Sequence, residues 1–449
     1  MFGLNGPEKL VGGWGWRRGF RWVAAALCVV GLACGSGVAR AASNDGKGAY
    51  KTGKYRNLFA EAGHSQAEID AKIHAAYQQL FHGDGETQAI YFAAGKNANG
   101  PLSYVTDWAN HDVRTEGMSY GMMIAVQMNK KEEFDALWNW VMTNMYISDP
   151  AHPSYGYFSW SCKTDGTARE ETPAPDGEEY FAMSLLFAAN RWGSGTGIYD
   201  YRAQAERLLQ AMRHREVKSG QTKFGPRKVG PEMNEDHAMI LFVPGVMEHP
   251  FSDPSYHLPA FYELWARWGP EEDREFWARA AEVSREYFVK ATNPKTGLAP
   301  VYANFDGTPH QTKFVQSDEF GYDSWRTASN WSVDWSWWRK DPEEQVLSDR
   351  IQGFFASEGM GKYSPVYSLD GKAQGSTKGF TPETDAPIGL VATNAVASLA
   401  AKDKARARLF VDALWNAPVP SGYSRYYDGM LYMMSLLHVS GEFRVWGPR

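Results

Sequence analysis

The stretch Thr115-Glu116-Gly117-Met118-Ser119-Tyr120-Gly121-Met122 sets one carboxylate beside a glycine where an apolar run begins. Met118, Met122, Met123 and Val126 continue that run at spacings of three and four, which predicts a helix. A glutamate at a helix start can act as an electrostatic cap, because the helix N-terminus attracts negative charge. Pressed against methionines and aromatics, it can instead be held protonated near neutral pH, since burial disfavours the charged form. A protonated carboxyl is what a general acid needs.

Two further segments carry carboxylates among aromatics and glycines. In Ala174-Pro175-Asp176-Gly177-Glu178-Glu179-Tyr180-Phe181-Ala182, Asp176 sits in a Pro/Gly turn just before a helical run. Read locally it is an N-cap, with Glu179 three residues on completing a capping-box-like arrangement. In Phe320-Gly321-Tyr322-Asp323-Ser324-Trp325-Arg326, Asp323 and Arg326 are three apart and share a helix face. An arginine so placed keeps the aspartate ionised, which suits a general base. Tyr322, Trp325 and Trp331 make a fully solvated surface pair a poorer reading.

Other chemistries lack their residues. The eleven histidines are scattered with no His-x-x-x-His pair, and the carboxylates follow no EF-hand spacing. There is no phosphate-binding loop, no dinucleotide fingerprint and no Gly-x-Ser-x-Gly elbow. The sequence therefore predicts no metal and no cofactor. Acid/base work by Asp and Glu remains. Aromatics make up 14% of the chain, with 18 Trp, and many stand next to carboxylates and glycines rather than on clean helical stripes. Flat rings with a polar edge suit stacking on sugars. On a neutral sugar polymer, the remaining chemistry is glycoside hydrolysis by two carboxylates.

The N-terminal residues read as a targeting segment. Lys9, Arg17, Arg18 and Arg21 precede an apolar stretch from Trp22 to Ala33, and Ala39-Arg40-Ala41 offers a cleavage site. Residues 1–41 are thus expected to be a secretory signal peptide, and the protein periplasmic or secreted. Its removal takes away five basic residues and one acidic one, moving the formal charge from −6 to −10. That balance argues against nucleic acid or an anionic membrane as a partner. Cys28 and Cys34 leave with the signal, so Cys162 stands alone and no internal disulfide is expected.

The elements that must position these residues are helical. Runs with apolar spacings of three and four recur at 67–81, 118–128, 132–145, 178–192, 201–213, 259–268, 272–291, 325–340, 343–358, 389–400, 403–415 and 427–439. Loops rich in Gly, Pro, Asp and aromatics separate them, and no strand-like alternation is long enough for a major sheet. With no linker between runs, residues 42–449 are expected to form a single all-α domain. A toroid of helical hairpins closes so many helices around one core, and the chain lacks the fixed short repeat of a solenoid.

With these motifs in hand, the chain resembles glycoside hydrolase family eight, from about Lys54 to the C-terminus. Thr115 to Met122, Ala174 to Ala182, Asp253-Pro254-Ser255-Tyr256 and Tyr322-Asp323-x-x-Arg326 fall in the order of that family. The resemblance is greatest to the branch of reducing-end xylose-releasing exo-oligoxylanases. It implies an (α/α)6 barrel and an inverting mechanism, with Glu116 as general acid and Asp323 as general base beside Arg326. It also implies that Asp176 hydrogen-bonds and helps distort the sugar in the −1 subsite. Trp160, Tyr256 and Tyr322 are implied as subsite aromatics. It further implies a C-terminal subsite tyrosine, which corresponds to Tyr423, Tyr426 or Tyr427, with Tyr423 the one expected. The partner implied is a xylo-oligosaccharide or xylan, acted on by a monomer. In exo-acting relatives a loop blocks the cleft and a histidine recognises the free reducing end. The corresponding loop, Leu369 to Ile388, contains no histidine. An endo-xylanase, an endo-glucanase or chitosanase of the same family, and a catalytically silent sugar-binding protein are the competing expectations.

Overall fold

The computed structural model describes residues 47–313, 317–374 and 387–448. The expected signal peptide and most of the Leu369–Ile388 loop lie outside the described residues.

Twelve helices of nine residues or more dominate the described residues. In chain order they are α1 (Gln66–His82), α2 (Thr115–Gln127), α3 (Lys131–Asn144), α4 (Pro175–Trp192), α5 (Tyr201–His214) and α6 (Pro259–Trp268). Then come α7 (Arg274–Ala291), α8 (Thr327–Trp338), α9 (Glu343–Glu358), α10 (Ile388–Val396), α11 (Lys404–Asn416) and α12 (Arg425–Ser440). The expected runs fall on these helices with ends shifted by a few residues. The main difference lies before α8, where Tyr322–Arg326 forms a separate 3-10 turn.

Burial divides the helices into two sets. In α2 every residue except Glu116 is buried, and α4, α8, α10 and α12 are buried almost throughout. Helices apolar all round belong inside. By contrast, α5 buries only Tyr201, Ala205, Leu208, Leu209 and Met212, and α11 only Ala407, Phe410, Val411 and Leu414. These are the one-sided stripes of outer helices. Even-numbered helices thus form an inner ring, and the ring closes where α12 packs on α2. Six inner and six outer helices make an (α/α)6 barrel, and one principal apolar core runs through it.

Among the described residues, strands occur only in short antiparallel sheets of two or three strands. The longest are the hairpins Tyr91–Asn97 with Gly100–Val105 and Lys218–Thr222 with Gly225–Val229. Cys162 is buried and free.

Candidate active site

The chemistry-bearing residues gather at the N-terminal ends of inner helices. Glu116 is the second residue of α2, Asp176 the second of α4 and Tyr426 the second of α12. Asp323 and Arg326 occupy the 3-10 turn that leads into α8, and Ser255 the 3-10 turn ahead of α6. Helix N-termini present unpaired N–H groups and positive dipole ends, so this rim favours carboxylates.

Glycines let those ends meet. A Cβ on Gly117 would stand 2.5 Å from a ring carbon of Tyr426, and one on Gly177 2.5 Å from the Thr115 side chain. Each glycine directly follows a site carboxylate. Without them, α2 could not approach α12 and α4 closely enough for one arginine to span the group.

Arg326 is that arginine. Its Nη1 donates to Glu116 Oε2 at 2.9 Å, to Asp176 Oδ2 at 3.0 Å and to the Tyr120 hydroxyl at 2.9 Å. Its Nη2 lies 3.2 Å from Asp323 Oδ1 and donates to Ser255 Oγ at 3.1 Å. The guanidinium is planar and rigid, so these contacts fix three carboxyls around one frame. They also set oxygens of Glu116 and Asp323 on the two different Nη atoms of that guanidinium.

The carboxyls differ in environment. Burial pushes the Glu116 carboxyl up to about 7; Arg326 opposes that shift, and Asp176 and Asp323 add to it. The Tyr426 hydroxyl donates to its second oxygen at 2.9 Å. Asp176 is also raised, by burial first and by Asp323, with Arg326 opposing. Asp323 is the open one: its side chain is 33% exposed, against 14% for Glu116 and 7% for Asp176. A carboxyl raised to about 7 and a second one open to water, on one frame, can give a proton on one side and take one on the other.

The aromatic residues fall around this centre. Thr115 N donates to the Trp160 carbonyl at 2.9 Å, which places half-buried Trp160 beside the start of α2, with the Arg114 guanidinium 5.6 Å from its ring. Tyr256 is buried, its ring 5.6 Å from the Arg326 guanidinium. Tyr322 adopts a left-handed backbone (φ 43°) and stacks on Trp325 at 5.2 Å. Its carbonyl accepts from Tyr427 at 3.1 Å.

Two expectations change. Of the C-terminal tyrosines, Tyr426 and not Tyr423 reaches the carboxyl pair; Tyr423 is exposed, with its hydroxyl 3.4 Å from the Ala109 carbonyl. The choice follows from helix position, because Tyr426 lies in the first turn of α12 whereas Tyr423 precedes it. Asp176 is not an N-cap either. Ala174 occupies that position without a side-chain cap, and Glu179 accepts from Tyr262 at 2.5 Å instead of closing a capping box. Tyr120 was not singled out in the sequence. Its spacing of four from Glu116 puts it on the same helix face, which is the signal that could have found it.

The profile described as glycosyl hydrolases family 8 matches residues 97–441. A reducing-end xylose-releasing exo-oligoxylanase, Rex8A of Paenibacillus barcinonensis, is 46% identical over 403 residues, covering 89% of this chain and 99% of the relative. Among solved structures, a family 8 xylobiose complex from Teredinibacter turnerae superposes with a TM-score of 0.85 at 50% identity. It covers 89% of this chain and 100% of its own. A catalytic mutant xylohexaose complex of a xylanase from the same organism gives 0.85 at 49% identity, with the same coverage.

Proposed function

The chain belongs to glycosyl hydrolase family 8, and from that premise we propose that it hydrolyses β-1,4-xylo-oligosaccharides with inversion, releasing xylose from the reducing end. The observation that carries this reading is the shared guanidinium, with Glu116 raised to about 7 and Asp323 open to water. Glu116 gives its proton to the glycosidic oxygen as the bond to the anomeric carbon breaks. Asp323 takes a proton from a water attacking that carbon from the opposite face. Asp176, held by Arg326, is placed to hydrogen-bond the sugar between them. Trp160, Tyr256 and Tyr322 supply stacking surfaces, and Tyr426 orients the Glu116 carboxyl. The basic and apolar N-terminal segment supports export to the periplasm or medium.

Endo-hydrolysis of xylan is the second reading. The Leu369–Ile388 loop contains no histidine, and a xylanase crystallised with xylohexaose is 49% identical.

The test is a time course on xylohexaose and on its borohydride-reduced form, with products resolved by chromatography. Stepwise release of xylose from the free sugar, with the reduced form inert, is the expected result. Mid-length products from both would replace exo action by endo action. Cleavage of neither would overturn the xylan reading and bring forward glucan or chitosan oligomers.

A further inference from the structure

A second concavity, of about 440 Å3, opens between the C-terminal turn of α5 and the loop residues 146–156. None of the residues that touch Arg326 lines it. Its size falls within the roughly 300–1,000 Å3 of small-molecule sites.

Its walls combine ring faces with cations whose hydrogen bonds go to neutral acceptors. Tyr146 and Tyr155 line it, and Tyr155 is 37% exposed. Arg207 donates to the Tyr146 hydroxyl (3.2 Å), the Gly156 carbonyl (3.4 Å) and Gln204 Oε1 (3.0 Å). Arg215 donates to the Pro153 carbonyl and lies 4.7 Å from the Tyr157 ring, while its buried Nε has no acceptor. Lys218 donates to the Pro150 carbonyl at 2.9 Å and sits 5.2 Å from the Tyr155 ring. Every one of these partners is neutral.

Cations just outside the groove are matched by carboxylates. Nearby Arg213 pairs with Glu235 and Asp273, and Arg227 with Glu170. His214, also in the groove wall, already meets Asp273 at 2.6 Å. Acidic residues outnumber basic ones, 52 to 46, yet Glu216 is the one carboxylate residue in this lining, and it is exposed. Burial lowers the pKa of both Arg207 and Arg215; at Arg215 the Tyr157 hydroxyl and the buried Glu232 carboxyl oppose that shift without cancelling it, and at Arg207 only the hydroxyls of Tyr146 and Tyr155 oppose it. A guanidinium fork matches a carboxylate, and a tyrosine face matches a sugar ring. The loop carrying Tyr155 and Gly156 runs directly on to Trp160. Even fully extended, those four residues would span about 13 Å, so one polymer chain could reach both places.

We propose that this groove is a secondary saccharide site that takes a carboxylate-bearing sugar, a uronate substituent on an otherwise neutral polymer. The carboxylate sits on Arg207, Arg215 and Lys218, and the sugar ring packs on Tyr155. The assignment rests on the saccharide reading of the protein. The groove would hold acidic, branched stretches of polymer while the cleft works on the neutral backbone.

The test uses the intact, unmodified enzyme and glucuronosyl-xylose, a disaccharide without the xylosidic bond that the cleft cleaves. Calorimetric titration should give binding at least about tenfold tighter for the acid than for its uncharged methyl ester. Tyr155→Ala and Lys218→Gln should each weaken it by about fivefold or more, with turnover of neutral xylotetraose unchanged. Equal binding of acid and ester, or binding indifferent to both substitutions, would overturn the proposal. So would inorganic phosphate binding as tightly as the acid with no dependence on Tyr155, which would make the groove a plain anion site. Because the readout is binding, these differences could hold even if xylo-oligosaccharides were not hydrolysed. In that case the functional reading would fail and the groove would stand.

Discussion

Two buried arginines in this protein each gather several carboxylates, and they do opposite things with them. Arg285 grips Asp334 with two parallel hydrogen bonds, Nε to Oδ2 at 2.7 Å and Nη2 to Oδ1 at 2.9 Å, and meets Glu263 at 3.0 Å. Glu263 also binds Lys340 at 2.7 Å and Arg267 at 2.8 Å. Burial pushes the Glu263 carboxyl up, but its cations outweigh that and leave it below its ordinary value. Arg326 holds three carboxyls by one oxygen each, with no second cation on Asp176 or Asp323 among the described residues. One guanidinium shared among three carboxyls, with Arg114 acting from further off, does not offset the burial of Glu116, which is raised to about 7. A sealed cluster braces a fold, even though one member, Glu344 buried beside Asp334, is itself pushed well above its ordinary value by burial and by Asp334. An under-matched cluster that opens to water at one end stores a proton where a reaction can use it.

The largest expected effect separates proton donation from binding. Glu116→Gln keeps the shape and the Tyr426 contact but removes the acid. The kcat/KM for xylo-oligosaccharides should fall by roughly 10^3- to 10^4-fold, at the upper end of what general acid catalysis contributes. Oligosaccharide affinity, measured by calorimetry, should stay within a few-fold. Activity surviving the substitution would break the comparison at its centre.

Exchanging the two arginines for methionine sharpens it. Arg285→Met strands a buried carboxylate and should cost about 3–5 kcal/mol in urea unfolding, leaving rates of the folded enzyme nearly unchanged. Arg326→Met should instead lower kcat/KM by about 10^2-fold or more, with a smaller loss of stability, because its carboxyls can neutralise themselves by taking up protons. Equal stability losses and equal rate losses from the two would contradict the distinction.

A smaller effect comes with pH. An acid titrating near 7 is deprotonated above it, so kcat/KM should fall about tenfold per unit on the alkaline side of about 7. The same shift affects stability. The folded-state value lies above the ordinary 4.5, so the contribution of Glu116 is intact below about 4.5 and is lost as pH rises to about 7. Glu116→Gln, neutral at every pH, should therefore gain on the parent by about 3 kcal/mol between those limits. A gain that instead grew toward low pH would reverse the assigned direction.

Much of this was legible in the sequence. The apolar spacing located the helices, and Asp403 caps α11 through the Arg406 N–H, as a residue of that type ahead of an apolar run should. The i, i+3 spacing placed Asp323 beside Arg326 at 3.2 Å. What local reading could not supply was partnership across the barrel. The capping signal at Asp176 lost to Arg326, which lies 150 residues further along the chain. The choice of Tyr426 over Tyr423 depended on where α12 begins, since a shift of three residues turns a side chain from solvent into the site. The glycines after Glu116 and Asp176 were visible as letters. Their role appears only when Tyr426 and Thr115 are seen to fill the space that a Cβ would need.

The measurement that tests the acid and base roles most directly compares Glu116→Ala and Asp323→Ala on xylotriose and on β-xylobiosyl fluoride. Fluoride leaves without being protonated, so it bypasses the acid but not the base. Glu116→Ala should lose xylotriose hydrolysis yet keep fluoride hydrolysis within about tenfold of the parent, while Asp323→Ala should lose both, by the roughly 10^2- to 10^4-fold of an acid/base group. The reverse pattern, with Asp323→Ala rescued by the fluoride and Glu116→Ala inactive on both, would contradict the account.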